Sequence, residues 1–376
     1  MRLPLAGDVR LSDAVDCGRA KPSGCRLLAV AFLGPFPPPL PIFIRMIETL
    51  TILMYHYVRD VNSTAFPGIK ARSIADFRGQ IEYCRRHYRI ISPTDLLLAI
   101  QEPTYVLPAN ALLLTFDDGY IDHYQAVFPI LMDLHLSAVF APVGKAVMEG
   151  RVLDVNKIHF VLAVMKNRVG RLVEDLFDLL DRYRPAYNLD ANQSYWNRLA
   201  HANRFDPPEI IFVKRLLQRD LPEELRSRLV DALFRRYVTG DEADFAGQLY
   251  MNLAQLREMA QAGMCIASHG YDHHWLGTLP AAQQAEQVRK SLDFLARIST
   301  VSAGWMFTYP YGSTDENLLG IAKQRGCLAG FTTEPRIASG QDDRLLLPRL
   351  DTNDLPTEAS ASIAEWTRNV GAGDVR

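Results

Sequence analysis

The sequence predicts an α/β protein built on parallel strands, in a sheet or barrel, with a helical block inserted midway. Three observations carry this reading. Short apolar runs alternate with stretches of helical spacing up to residue 151 and again from 251. The run Ala111–Phe116 is apolar at nearly every position, as a strand covered on both faces is. Between Val152 and Tyr250 the alternation stops, and long periodic segments rich in charge replace it.

Taken in order, Thr51–Tyr55 reads as the first buried strand. Ile74, Phe77, Ile81 and Cys84 then recur at helical spacing, with Ser73 placed to cap and Asp76 at the third helical position. Arg89–Ile91 is a second strand, and Ser92 caps a helix through Leu98. Strand Ala111–Phe116, helix Ile121–Leu134 and strand Ser137–Pro142 follow. In the inserted block, Phe160–Tyr183 and Ile210–Tyr237 read as amphipathic helices. Their mixed charge suits packing better than a membrane face. Beyond it come helix Leu253–Ala262, strand Met264–Ser268, helix Ala281–Ile298, strand Met306–Tyr309, helix Asp315–Arg325 and strand Leu328–Thr332.

Residues 1–45 read differently. The apolar stretch Leu27–Ile44 is broken by Pro35, Pro37, Pro38, Pro39 and Pro41, and Asp8, Asp13 and Asp16 precede it, unlike a secretory leader. The expectation is a flexible extension outside the packed body, with Met46 as an alternative start. The organisation expected is thus 1–45 extension, 46–151 and 251–360 α/β body, 152–250 helical insertion and 361–376 C-terminal tail. A cytoplasmic location is the expectation, which the few cysteines and the poor leader fit. An exported or envelope-associated protein is the alternative.

Composition narrows the function. Hydrophobic residues at 48% and charged ones at 22% are ordinary for a globular chain of 376 residues. Lys and Arg number 41 against 43 Asp and Glu, so no basic surplus points to nucleic acid. No apolar run is long enough for a plain membrane span. Cysteines 17, 25, 84, 265 and 327 lack the spacing of a disulfide framework or a cysteine zinc site. Walker A, helix-opening G-x-G-x-x-G and G-x-S-x-G patterns are absent from the sequence.

Three segments carry candidate chemistry. Thr115-Phe116-Asp117-Asp118-Gly119 places two adjacent carboxylates where an apolar strand stops, and ligands of parallel α/β folds gather at that strand end. One carboxylate could hold a metal while the other faces a reacting water. A solvated Asp-Asp-Gly turn is the plain alternative. Ser268-His269-Gly270-Tyr271-Asp272-His273-His274 puts three of the nine histidines within six residues, again after an apolar strand. Two imidazoles and one carboxylate leave open positions on a metal; a polar loop with structural histidines is the alternative. Phe307-Thr308-Tyr309-Pro310-Tyr311-Gly312 ends a third strand, where Tyr309 and Tyr311 offer flat faces of the kind sugars pack against. A strand followed by a turn explains it equally.

With these residues together, the chain resembles the polysaccharide deacetylase family, also called the NodB-homology or carbohydrate esterase 4 fold. The resemblance runs from about Thr51 to Asp354, apart from the inserted helices. Ile52–His56 resembles the family's opening strand, Thr115–Gly119 its first motif, Ser268–His273 its second and Phe307–Gly312 its third. The resemblance implies a distorted (β/α) barrel of the NodB-homology type with fewer than eight strands, carrying the helical insertion. It implies a metal-dependent hydrolase that removes N-acetyl groups from a polysaccharide, glycan or glycan precursor. Asp117 would be the general base, and Asp118, His269 and His273 the ligands of a divalent metal ion, zinc first. Tyr311, through its N–H, would hold the oxyanion, with Pro310 and His56 also on the substrate side.

Several positions depart from the family pattern. Thr308 stands where an arginine usually pairs with the base aspartate, and Arg349 in Leu347-Pro348-Arg349-Leu350-Asp351 is the candidate substitute. Gly270 replaces a usual Ser or Thr. His274 stands where proline is common and receives no role. The late Leu-x-x-His motif is missing, and no histidine follows Asp351. Leaving-group protonation is therefore unassigned, with His56 either a donor or a structural hydrogen bonder. The alternatives are an O-acetyl esterase or non-sugar amidase on the same site, and a non-catalytic carbohydrate-binding relative. The expected partner is an acetylated carbohydrate, with neither nucleic acid nor a membrane span. The sequence leaves the oligomeric state open.

Overall fold

Strand β1 (Thr49–Tyr55) is buried along almost its whole length because parallel neighbours flank it and helices cover it. The computed structural model describes residues 49–203, 206–298 and 304–371, so the expected extension at 1–45 lies outside the described residues. Strand β2 (Arg89–Ile90) pairs with β3 (Ala111–Asp118), which runs parallel to β1 in the register Leu50↔Ala111 to Tyr55↔Phe116. Strand β4 (Val139–Pro142) lies on the other side of β3, and β5 (Cys265–Ile266) lies on β4, both parallel. Strands β6 (Trp305–Thr308) and β7 (Cys327–Phe331) form a separate parallel pair. Strand β8 (Ala338–Ser339) runs antiparallel at one end of β1, and β9 (Leu350–Asp351) runs parallel to β1.

Single bridges close the ring. Ser268 pairs with Phe307, its N–H donating to Met306 O while Thr308 N–H donates to Ser268 O, both at 2.9 Å. Phe331 pairs with Leu347, where Thr332 N–H meets Leu347 O at 2.8 Å. The circuit β1-β3-β4-β5-β6-β7-β9-β1 is the distorted (β/α) barrel that the resemblance implied. Alternate positions around it, among them Leu50, Ile52, Leu113, Ala141, Met306 and Leu347, pack into one apolar cluster. The other face of β1, β3 and β4 packs under the covering helices through Tyr55, Phe116 and Phe140, stacked 4.8–4.9 Å apart.

Ser73 and Ser92 cap the helices Ile74–His87 and Pro93–Gln101 as their spacing predicts, each accepting from the third helical N–H. Other elements differ from expectation. Helix Ile121–Leu134 begins as a π-type turn, His123–Val127, because Pro129 has no N–H to give the normal ladder. The span Phe160–Tyr183 is two helices, Asp154–Val164 and Val169–Tyr187, parted at the polar run Lys166-Asn167-Arg168. The span Ile210–Tyr237 is likewise cut at Pro222 into Pro208–Asp220, whose last turn is π-type, and Glu223–Tyr237. Residues 361–371, expected as a tail, carry the helix Glu365–Gly371. Thr367 there is buried, and its hydroxyl meets those of Tyr83 and Tyr88 at 2.9 Å. The inserted helices bury a core of their own against Tyr57, Tyr120 and Tyr250. Among the described residues, no helix is long and apolar enough to cross a membrane.

Gly119, directly after the two aspartates, has φ +74°, and a Cβ there would stand 2.6 Å from the Pro142 side chain. Gly119→Ala combines left-handed strain with a clash against β4. Chemical denaturation should show a loss of about 1–3 kcal/mol, and unchanged stability would contradict this packing.

Candidate metal centre and active site

The strand ends of the barrel bring the singled-out side chains together. On β3, Ala111, Leu113, Thr115 and Asp117 share one face by strand alternation. Asp118 leaves that alternation because its backbone is left-handed, at φ +71°. Two adjacent carboxylates can thereby serve one mouth of the barrel. His273 and Tyr311 are also left-handed, at φ +61° and +57°. Three of the six left-handed non-glycine residues among the described residues thus cluster here, where strain collects at functional sites.

Asp118 Oδ1 lies 3.5 Å from His269 Nε2 and 3.4 Å from His273 Nε2. Among the described residues, these three form the group that could hold a metal ion. Three donors each about 2.0–2.2 Å from one tetrahedral centre stand roughly 3.3–3.6 Å apart, so the two measured separations fit an ion. Asp118 Oδ1 is buried and has no hydrogen-bond partner, whereas Oδ2 accepts from the Tyr120 hydroxyl at 2.5 Å. A buried carboxylate oxygen without a donor calls for a cation.

The two imidazoles are prepared differently. His269 Nδ1 meets the Thr308 carbonyl at 2.7 Å and the Thr308 hydroxyl at 2.6 Å. Donation from Nδ1 to the carbonyl leaves the Nε2 lone pair directed at Asp118, as a metal ligand needs. His273 is pushed down to about 3 by burial, which keeps it neutral. Its ring packs edge-on to Tyr311 at 4.8 Å, and Tyr311 stacks on Trp275 at 4.4 Å.

Asp117 is turned to a different partner. Arg349 donates from both terminal nitrogens to its two oxygens, at 3.0 and 2.7 Å, and also to Thr115 Oγ1 and the Thr332 carbonyl. Both residues are 1% exposed. Burial alone would raise the Asp117 carboxyl, but the Arg349 charge, aided by His269 and His56, holds it down to about 2. Asp117 is therefore ionised at neutral pH and fixed in orientation by a fork geometry that only arginine supplies.

The remaining expectations divide. His56 follows β1 and is partly buried, and its carbonyl meets the buried His123 ring at 2.8 Å. Pro310 is buried behind the loop that carries Tyr311. Tyr309 is a correction: it is fully buried against Phe307, on the core face of β6, and offers no face to a sugar. Sequence reasoning missed Tyr120, the Thr308 contact to His269, and Trp275. Tyr120 could have been suspected from its place directly after the two aspartates, and Thr308 from its place inside the third motif. Nothing local marks Trp275.

A barrel with a buried aspartate facing two histidines at its mouth offers a donor set that could hold a metal ion. Comparison with known proteins agrees. The polysaccharide deacetylase family model matches residues 231–329, a stretch holding the second and third motifs. The Bacillus subtilis (strain 168) protein named "Putative polysaccharide deacetylase YxkH" is 23% identical over 305 residues, covering 80% of this chain and 70% of that protein. The Escherichia coli (strain K12) poly-beta-1,6-N-acetyl-D-glucosamine N-deacetylase is 58% identical, but over only 38 residues, 10% of this chain and 6% of that enzyme. In fold, the Streptococcus pyogenes deacetylase PplD, solved with acetate, matches with a TM-score of 0.50 and 17% identity, covering 81% of this chain and 93% of that one. Residues 231–329 thus match a polysaccharide deacetylase domain, and the chain is similar in fold to a solved deacetylase.

The Arg349–Asp117 pair makes a prediction. Arg349→Met leaves a buried carboxylate without its countercharge and should cost about 3–5 kcal/mol. The pKa of Asp117 is depressed when folded, so the wild-type pair contributes stability above about pH 4 that is lost as pH falls toward about 2. Denaturation at stepped pH should show that slope flattened in the variant. An unchanged slope would mean that Arg349 does not hold the carboxyl ionised.

Proposed function

We propose that this chain removes acetyl groups from N-acetylated sugar units, with Asp118, His269 and His273 holding one divalent ion and Asp117 acting as general base. One observation carries the reading: a buried, donor-less carboxylate oxygen 3.4–3.5 Å from two imidazole nitrogens, beside a second carboxylate that an arginine keeps ionised. The mixed nitrogen and oxygen donor set, with no sulfur, supports zinc. The bound ion would supply Lewis-acid chemistry, polarising the acetyl carbonyl and acidifying water.

The chain's own residues do the rest. Asp117 accepts a proton from the attacking water at a carboxylate oxygen, each of which keeps a free lone pair beyond its bond to Arg349. Arg349 stays charged and stabilises Asp117 while it waits ionised. The backbone N–H of Tyr311 is the candidate donor to the developing oxyanion, a role worth about 3–4 kcal/mol in comparable sites. With no late histidine in the sequence, His56, which follows β1 at the same end of the barrel, is the candidate to protonate the leaving amine.

A cavity of about 160 Å³ adjoins the site between Asp272–Trp275 with Tyr311 and the inserted segments 151–158 and 217–231. Lys145, Arg151, Asp154 and Arg226 line it with donors and acceptors suited to sugar hydroxyls, and Trp275 adds a flat wall. The insertion therefore shapes the cleft in this reading. The short likeness to an enzyme named for poly-beta-1,6-N-acetyl-D-glucosamine supports an N-acetylhexosamine polymer as substrate class.

Two variants separate the roles. Asp117→Asn should keep the metal but cut acetate release by a factor of about 10²–10⁴. His269→Ala should lose metal and turnover together, with metal content measured alongside the assay. Wild-type turnover in Asp117→Asn would remove it as the base.

A further inference from the structure

The inserted helices reach the metal centre through a buried hydrogen-bond chain that none of the expected roles uses. Its outer end is Tyr250, the residue that closes the insertion. The Tyr250 hydroxyl accepts from Leu153 N–H at 3.1 Å and donates to Asn156 Oδ1. Asn156 lies on the helix Asp154–Val164 and is fully buried. Its Nδ2 donates to Tyr120 Oη at 2.6 Å and to Tyr57 Oη at 3.1 Å. Tyr120 Oη in turn lies 2.5 Å from Asp118 Oδ2.

The direction of the protons follows from the chemistry of each group. An amide nitrogen can only donate, so Tyr120 Oη must accept from Asn156 and has its single proton left for Asp118. Tyr250, by giving its proton to Asn156 Oδ1, fixes which way the amide faces. Tyr57 stacks on Tyr120 at 3.9 Å, and Tyr120 forms an antiparallel bridge with Tyr250, whose neighbour Met251 donates to Gly119 O at 3.0 Å. Both ends of the insertion thus grip the segment that carries Asp118.

We infer that Tyr120 and Asn156 are positioning residues through which the inserted helices hold Asp118 for its metal, committing Oδ2 to Tyr120 so that Oδ1 alone faces the ion. This rests on the proposed metal centre. Carboxylate ligands held by a second hydrogen bond typically lose 10–100-fold in metal affinity when that bond is removed. The insertion is on this account part of the metal site as well as a wall of the cleft.

The test is a double-mutant cycle on zinc affinity. Dissociation constants come from competition with a chromophoric chelator, and visible absorption of the cobalt-loaded proteins reports the ligand field. Tyr120→Phe removes only a hydroxyl, and should weaken zinc about 10–100-fold and change the cobalt spectrum while thermal melting shows a folded protein. Asn156→Leu should weaken zinc less. The double variant should be no weaker than Tyr120→Phe alone, because Asn156 acts through Tyr120. Tyr250→Phe reads the same chain from its far end and takes the place of Asn156→Leu in the cycle if that variant does not fold. Wild-type affinity and spectrum in Tyr120→Phe would overturn the inference, as would additive losses in the double variant. A wild-type protein that binds no zinc would instead overturn the metal-centre reading beneath it.

Discussion

The site is organised around the cost of burying Asp118. An ionised carboxylate taken out of water must be matched by donors or by charge, or it protonates. Here one oxygen receives a phenolic proton from Tyr120 and the other faces only two imidazole edges. The pocket is thus electrostatically incomplete as protein alone, and in the proposed reading a divalent cation completes it.

The barrel makes that incompleteness possible. Its strands end together, so side chains from β3, from the segment after β5 and from the approach to β9 meet although they lie far apart in sequence. Adjacent aspartates are separated chemically by one backbone torsion. Asp117 keeps the strand alternation and finds Arg349; Asp118, left-handed, turns to the histidines. One is ionised by a fixed cation and free to take a proton. The other, in the proposed reading, holds the metal. Closing the circuit with single bridges in place of long ladders keeps the β5 and β6 ends short and frees the loops His269–Trp275 and Pro310–Gly312 to fold over the mouth.

Much of this was legible beforehand, for identifiable reasons. Apolar runs such as Ala111–Phe116 admit little besides a buried strand, and Ser73 and Ser92 announce helix starts through local chemistry. Arg349 could be picked because the family resemblance calls for an arginine paired with the base aspartate, and Thr308 stands in its usual place. What escaped depends on distance. Pro129 and Pro222 break helical periods whose apolar pattern continues unbroken. Tyr309 looks like Tyr311 in sequence, yet Tyr309 points into the core while Tyr311, in a turn with φ +57°, does not. The very short strands β8 and β9 carry no periodic signal and exist only because β1 offers an edge. The chain from Asn156 to Asp118 spans 38 positions and three elements, beyond the reach of any local pattern.

The most direct measurement is anomalous X-ray diffraction at the zinc edge on crystals grown with zinc. The account predicts one peak about 2.0–2.2 Å from Asp118 Oδ1 and from the Nε2 atoms of His269 and His273, with Asp117 still bound to Arg349. A peak ligated by Asp117 in place of Asp118, or no peak at this end of the barrel, would contradict it.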